Sequence, residues 1–303
     1  MSDIPPVRVE ADGYALDIAW VRRSFDRAAR TYDEAAVVQA EVRQLLLERL
    51  DLAAIEPRVV IDAGAGTGRA SRALKRRYPA AHVIALDSAL GMLRAAARQQ
   101  TWFRRFGRVC ADAAMLPLAD ESADLVFCNC MLLWSDPDAV FAEFRRVLAP
   151  RGLLCFTSFG PDTLRELRAA WAQVDAHSHV LRFIDMHDLG DALVRAGFAA
   201  PVLDVDHFTL SYSDVRRLAA DLKAVGGRNA AAGRLKGLTG PRRYAAMEAA
   251  YELHRLEGRL PATFEVVFGQ AWAPATAAAP AAGQERRVSL EQVRRELQRS
   301  RGS

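Results

Sequence analysis

Short apolar runs, each closed by an acid or an amide, recur along the first half of this chain. Val59-Val60-Ile61 ends in Asp62, His82-Val83-Ile84-Ala85-Leu86 in Asp87, Val109-Cys110-Ala111 in Asp112, and Leu125-Val126-Phe127-Cys128 in Asn129. A fifth run, Gly152 to Phe159, follows the Pro150-Arg151-Gly152 turn. Near-continuous apolar runs of this length are the pattern of strands in a parallel sheet covered on both faces. The intervening stretches, such as Arg69 to Tyr78, read as helices. Upstream, Phe25, Ala28, Ala29 and Tyr32, then Val38, Val42, Leu45, Leu46 and Leu50, recur at three- and four-residue steps and predict helix across 18–50. Downstream, Pro161-Asp162-Thr163 opens a helix expected over 162–174, and a second over 188–196 stops at Gly197. Residues 201–210 and 264–272 read as a sixth and a seventh strand, with helices between them. The pattern is that of an α/β protein.

The first strand breaks into Gly64-Ala65-Gly66-Thr67-Gly68 at the start of a helix. Backbone N–H groups at a helix N-terminus, free of Cβ atoms, suit a polar ligand at close range. A dinucleotide fold would place its third glycine at position 69, where this chain has Arg69. The G-x-G-x-G spacing behind Asp62 instead resembles the first motif of the class I S-adenosylmethionine (AdoMet) methyltransferases. That resemblance implies a Rossmann-like fold: a seven-stranded, mostly parallel sheet with helices on both faces and an antiparallel pair at one edge. It implies that Asp62 and the loop of Gly64, Gly66 and Gly68 hold the amino-acid end of the cofactor. Asp87, nineteen residues beyond Gly68, stands where a ribose diol is bound, followed by Ser88 and Met92 at the start of a capped helix. Asp112 and the Ala113 amide would read the adenine edge, and Asn129 would end the fourth strand beside the cofactor, with Leu132, Leu133 and Trp134 as walls.

Composition adds limits. A chain of 303 residues, 51% hydrophobic, can bury a substantial core, and a net charge of +4 does not by itself argue for nucleic acid. Cys110, Cys128, Cys130 and Cys155 lie in or beside strands without zinc-like spacing, so they are expected to be buried apolar residues in a reducing cytoplasm. His177 and His179 could be a metal fragment or a solvated loop, and no metal is expected. No run approaches 18 apolar residues and no apolar leader opens the chain, so a soluble cytoplasmic protein without membrane contact is expected.

The acceptor must be read from chemistry. Amines, phenols and carbon acids usually need a base to shed a proton, whereas a carboxylate is already ionised at pH 7. The six histidines form no clear cluster with an acid, and Asn129-Cys130-Met131-Leu132 lacks the N/D-P-P-Y/F form of amine and nucleobase methyltransferases. The flanks are more specific. Ser24 to Asp33 with Gln39, Ser158 to Arg168, Met186 to Leu193 and Asp221 to Asn229 resemble the malonyl-acyl-carrier-protein O-methyltransferases of biotin synthesis, and with the core this covers about residues 20–272. That family implies a carboxyl methyltransferase acting on malonyl-acyl-carrier protein and a helical substrate cap. It divides the chain into an N-terminal arm and helical lid (1–57), an AdoMet-binding core (58–160), cap insertions with the last two strands (161–272) and a flexible tail (273–303), where Ser289-Leu290-Glu291-Gln292 could cap a helix. Tyr32 would belong to the lid or to the helix's apolar face. Arg165, Arg168 and Lys223 could grip a carboxylate or phosphopantetheine, or belong to a solvated basic face. Between 213 and 259, ten Lys/Arg stand against five Asp/Glu, a surface suited to an acidic carrier protein or to RNA. Few aromatics for base stacking rank the carrier first, and no nucleic acid is expected. The alternatives are methylation of another small acid, a quinone or RNA, or an assembly factor or hydroxylase of the same fold, like those of respiratory complex I.

Overall fold

The computed structural model describes residues 16–275 apart from 233, 236 and 238; the expected arm before residue 16, and the tail with its helix cap beyond 275, lie outside the described residues. Seven strands form one sheet: β1 (Val59–Ala63), β2 (His82–Asp87), β3 (Gly107–Cys110), β4 (Ala123–Cys128), β5 (Leu148–Phe159), β6 (Ala199–Tyr212) and β7 (Leu260–Trp272). Their order is β3-β2-β1-β4-β5-β7-β6. The first five run parallel, with Ile61 level with Ile84 on one side and Val126 on the other. β7 is the strand that reverses, pairing antiparallel with both β5 and β6. Strand order turns back beside β1 and β4, the position where open α/β sheets bind ligands at their carboxyl ends.

Successive side chains of the central strands enter two different cores. Val60, Leu125, Phe127 and Leu153 pack on one face, and Ile61, Val126, Leu154 and Phe156 on the other. The first face receives α3 (Val37–Arg49), α4 (Arg69–Arg77) and α5 (Leu90–Ala96) through Val42, Leu46, Leu74 and Leu93. The second receives α6 (Pro137–Val147) and α8 (Met186–Arg195) through Phe141, Phe144, Leu189 and Leu193. Burial on both faces explains why these strands are apolar throughout, while β6 at the edge alternates half-buried and exposed positions.

Several expectations needed correction. The helical stretch 18–50 is three helices: α1 (Ile18–Ala28), α2 (Tyr32–Ala35) and α3. The helix expected from Asp162 begins later, as α7 (Arg165–Ala172). Ahead of it, Gly160 and Leu164 donate their N–H groups to the carbonyls of Glu265 and Thr263, so this segment is still pairing with β7. A backbone committed to that pairing cannot also close a helical turn. Of the four cysteines, Cys128, Cys130 and Cys155 are buried but Cys110 is exposed, because β3 is the edge strand. The cap helices α9 (Val215–Ala224) and α10 (Pro241–Glu252) lie between β6 and β7. Among the described residues, no helix is long and apolar enough to cross a membrane.

Helix α7 is tied to the sheet by a buried carboxylate. Glu166 on α7 accepts hydrogen bonds from the Thr263 amide (3.1 Å) and hydroxyl (2.5 Å) on β7. Removing the carboxylate leaves two buried donors unpaired, which costs about 1–3 kcal/mol for each such group. Glu166→Ala is expected to lower the urea midpoint accordingly. Adding Thr263→Val should cost less than the two changes taken separately, and additive losses would show that the pair is not coupled.

Candidate functional site

The site is built where β1 ends. Asp62 is 1% exposed and its carboxylate accepts a hydrogen bond from the Ser71 hydroxyl. The N-cap of α4 is Gly68, which has no side chain to satisfy the first turn. Asp62 supplies the missing acceptor from the adjoining strand, with a negative charge at the positive end of the helix. The acid therefore stands behind the glycine loop and braces it, and is not part of the cavity wall. Burial pushes its carboxyl up to about 7, against the lowering pull of Ser71.

The loop is shaped by what a side chain would strike. At Gly64 (φ +70°) a Cβ would lie 2.5 Å from Met131, and at Gly68 (φ +80°) 2.8 Å from the Ala96 Cβ. Both glycines thus let neighbouring elements close in, and both occupy the left-handed region that side chains resist. Gly66 differs: a Cβ there would meet nothing within 4 Å, because the residue faces the cavity. Its N–H donates to Asp87 Oδ2 (2.8 Å), while Asp87 Oδ1 accepts from the Ala89 N–H (2.8 Å). Each oxygen keeps a further lone pair for a diol. Burial raises the Asp87 carboxyl to about 6, with the Ala89 and Gly66 amides acting against it.

Around Asp87 runs a cavity lined by Gly64, Gly66, Ser88, Met92, Asp112 and Ala113. Asn129 and Tyr32 line it too. The structure thus brings ten of the eleven expected cofactor residues to the wall or the loop behind it with Gly68 in a packing role, and leaves Asp62 as the brace. Asp112 folds back to accept from the Ala114 N–H (3.0 Å). Asn129 donates from Nδ2 to the Gln39 carbonyl (3.1 Å) and accepts from the Thr157 hydroxyl at Oδ1 (3.1 Å). Thr157 also accepts from the Cys130 N–H (2.9 Å), which holds Cys130 at φ +53°. Fixed polar groups with a slot between Met92, Ala113 and Leu86 fit a nucleoside that carries an amino acid.

A second cavity adjoins the first across Phe25, Tyr32, Cys130 and Trp134, which line both. Its walls are mostly apolar, from Leu133, Phe159, Leu164, Leu181, Phe183 and Phe264. Phe25 packs edge-on to Trp134, with ring centroids 5.2 Å apart. Burial holds the Tyr32 phenol well above its usual range and pushes the Cys130 thiol up to about 12, so both stay protonated at neutral pH. Tyr32 is a packed aromatic: it starts α2 and packs against Met92 and Ala28. The N-terminal helices are pinned through Asp33, which accepts from the Thr67 hydroxyl and from Arg69 Nε (2.9 Å), and through Asp26, which accepts from the Gly91 N–H (2.7 Å).

The expected substrate residues stand elsewhere. Arg165 is exposed and pairs with Asp162 (3.3 Å) and Glu166 (3.6 Å). Arg168 donates to the carbonyls of Pro161 (2.8 Å) and Thr163 (2.9 Å), closing the turn before its own helix. Neither lines either of the two cavities, whereas Lys223 lines a surface groove beside the second one. His179 stacks on Trp171 (3.7 Å between centroids) and bonds Asp175 (2.9 Å), with no partnership to His177. Among the described residues, the possible metal-holding group is Asp162, His207 and Glu265, none of which lines either cavity. The sequence reading missed Arg43, which α3 buries in part near Tyr32, Asp33 and Asp62; burial lowers its guanidinium from the ordinary value. It also missed Thr157 and Asp33, a buried hydroxyl and an acid of α2 that only long-range contacts identify.

Comparison with known proteins agrees with this geometry. Residues 61–156 match a family described as a methyltransferase domain. The chain is 55% identical over 271 residues to the malonyl-acyl-carrier protein O-methyltransferase of Methylovorus sp. (strain MP688), covering 87% of this chain and 92% of that one. It is 52% identical over 273 residues to the enzyme of the same name from Laribacter hongkongensis, again covering 87% and 92%. Among solved structures, a putative methyltransferase from Bacillus halodurans C-125 superposes with a TM-score of 0.55 at 17% identity, covering 76% of this chain and 98% of its own.

The raised carboxyls make a stability prediction. A carboxyl whose folded value lies above its unfolded one stabilises the fold at low pH, and that contribution is lost as pH rises through the folded value. For Asp62 the window runs from about pH 4 to about pH 7. Asp62→Asn, which keeps an acceptor for Ser71, should therefore gain on the parent across this window by on the order of 2–4 kcal/mol. Denaturant unfolding without cofactor at pH 4.5, 6 and 8 measures it, and a difference that does not change with pH would contradict the assignment.

Proposed function

The chain belongs to the malonyl-acyl-carrier protein O-methyltransferases, and from that membership we propose that it esterifies the free carboxylate of a malonyl thioester on acyl carrier protein. It is an AdoMet-dependent methyltransferase with a Rossmann-like fold. The observation that carries the choice of acceptor is the junction of the two cavities. Phe25, Tyr32, Cys130 and Trp134 meet there, and none of them can take a proton at neutral pH. A nucleophile with a proton to lose would find no base at this point. A carboxylate needs none.

When bound, AdoMet supplies a sulfonium methyl group: the carboxylate oxygen–carbon bond forms as the sulfur–carbon bond breaks, leaving an ester and a neutral thioether. The protein's part is positioning and exclusion of water. Asp87, fixed by the Gly66 and Ala89 amides, would hold the ribose, with Asp112 and Ala113 at the base and the glycine loop at the amino-acid end. Asp62 acts on that end through the loop it braces. Tyr32 stays protonated, so its hydroxyl can donate to the acceptor carboxylate and aim one oxygen, while Trp134 and Phe25 keep water from the junction. The apolar second cavity would take the acyl thioester. Arg165 and Arg168 have their donors engaged elsewhere, so the aiming falls to Tyr32. The product's masked carboxylate fits an early, pimeloyl-forming step of biotin synthesis, and such an enzyme would work in the cytoplasm.

Purified protein with labelled AdoMet should esterify malonyl-acyl-carrier protein, and no product under conditions where a related control enzyme works would sink the reading. Tyr32→Phe should lower kcat/KM for the malonyl thioester roughly tenfold, the scale of one hydrogen bond to a charged group, with AdoMet affinity changed less than twofold. An equal loss in AdoMet affinity would place Tyr32 in cofactor binding alone.

A further inference from the structure

The second cavity has an outer mouth, and its charge is specific. His179, Leu222, Gly227, Arg228 and Asn229 line both this cavity and a groove on the protein surface, and Lys223 joins them on the groove side. A continuous path thus runs from the surface, through the apolar cavity, to the junction at Tyr32 and Cys130. The mouth is held in shape from both sides. Asn229 Nδ2 donates to the Ser178 carbonyl (2.6 Å), and the Gly227 N–H returns to the Leu222 carbonyl (2.8 Å) at the end of α9.

The basic character of residues 213–259 shrinks sharply once side chains are placed. Arg216 pairs with Glu248, Arg217 with Asp214, Arg234 with Asp17, Arg243 with Asp175 and Arg255 with Glu252, while Arg259 donates to the Ser211 carbonyl. Among the described residues of this segment, Lys223, Arg228 and Arg242 are the cations without such a partner. Two of those three flank the mouth. Cations left without an ion-pair partner at the rim of an apolar channel make that rim attractive to an anion.

We propose that this mouth admits the phosphopantetheine arm of the carrier protein, with Lys223 and Arg228 receiving its phosphate and the apolar cavity receiving the thioester end. The proposal deepens the functional reading above and rests on it. The arm suits the path: one phosphodiester where it leaves the carrier, then a slender amide chain, then the acyl thioester. Arg228 presents a forked donor set and Lys223 a compact charge, both matched to phosphate oxygens. The carrier itself would sit over the C-terminal turn of α9, outside the groove.

The test compares two malonyl thioesters that differ in the carrier and in its arm's phosphate. Malonyl-acyl-carrier protein carries it, and malonyl-pantetheine does not. In Lys223→Ala/Arg228→Ala, KM for the malonyl carrier should rise at least tenfold with kcat within a factor of two, while kcat/KM for malonyl-pantetheine stays within a factor of two. Lys223→Arg/Arg228→Lys should restore most of the carrier KM, which a merely structural role would not require. Unchanged AdoMet affinity by calorimetry checks that the variant is folded. Malonyl-coenzyme A, which has the phosphopantetheine arm and no carrier, should lose as the carrier does; a loss on the carrier with malonyl-coenzyme A unaffected would put the two cations against the carrier's own surface and overturn the phosphate assignment. Equal losses on both malonyl thioesters, or none on either, overturn the path while leaving the functional reading intact. If the parent protein turns over neither thioester, the functional reading itself falls, and the path with it.

Discussion

A single buried carboxylate links sheet, loop and helix in this protein. Asp62 ends β1 and reaches the first turn of α4, whose own N-cap is a glycine with nothing to offer. The loop between them can be rich in glycine, and so open its amides to a ligand, because its two ends are tied together by that contact. A loop of three glycines free at both ends would sample many conformations and lose much of that order on binding. The arrangement has an electrostatic cost. A carboxyl pushed up to about 7 is only part-ionised at neutral pH, and the Ser71 hydroxyl offsets burial incompletely.

The same logic extends outward. Asp87 binds the loop amide of Gly66 and the Ala89 amide ahead of α5, so one carboxylate sets the distance between loop and helix. Asp33 and Asp26 fasten the N-terminal helices to the loop and to α5. On the far side, the Thr31 hydroxyl donates to the Ala224 carbonyl at the end of α9 (2.9 Å). The N-terminal helices therefore touch the glycine loop, the cavity around Asp87 and α9 in one short stretch of chain. Tyr32 lines both cavities and is their shared wall.

Methyl transfer to a carboxylate asks for little from the protein except geometry, and the junction reflects this. Its polar groups are a phenol and a thiol, both kept neutral by burial, between two aromatic rings. The stacked His179 and its Asp175 partner lie at the outer end of the path, against Trp171. That separation is consistent with chemistry that needs no base at the methyl and with a substrate whose charged parts lie at its two ends.

The sequence alone determined the sheet, its glycine loop and the positions of Asp87, Asp112 and Asn129, because strand ends and turn residues are local signals with fixed spacing. It also determined the family, through blocks such as Phe159-Gly160-Pro161-Asp162-Thr163 whose residues the structure uses to join α7 to β7. Tertiary structure alone decided which charges are available. Arg165 and Arg168, three apart on one helix, looked like a grip for an anion, yet their donors are taken by Asp162 and by the carbonyls of Pro161 and Thr163. Arg228 looked like one basic residue among ten, yet it is left at the mouth without a partner. Whether a charge is spent or free depends on neighbours distant in the chain. Asp62 shows the same limit: its spacing marked it for the cofactor, and only the fold shows that its carboxylate faces α4.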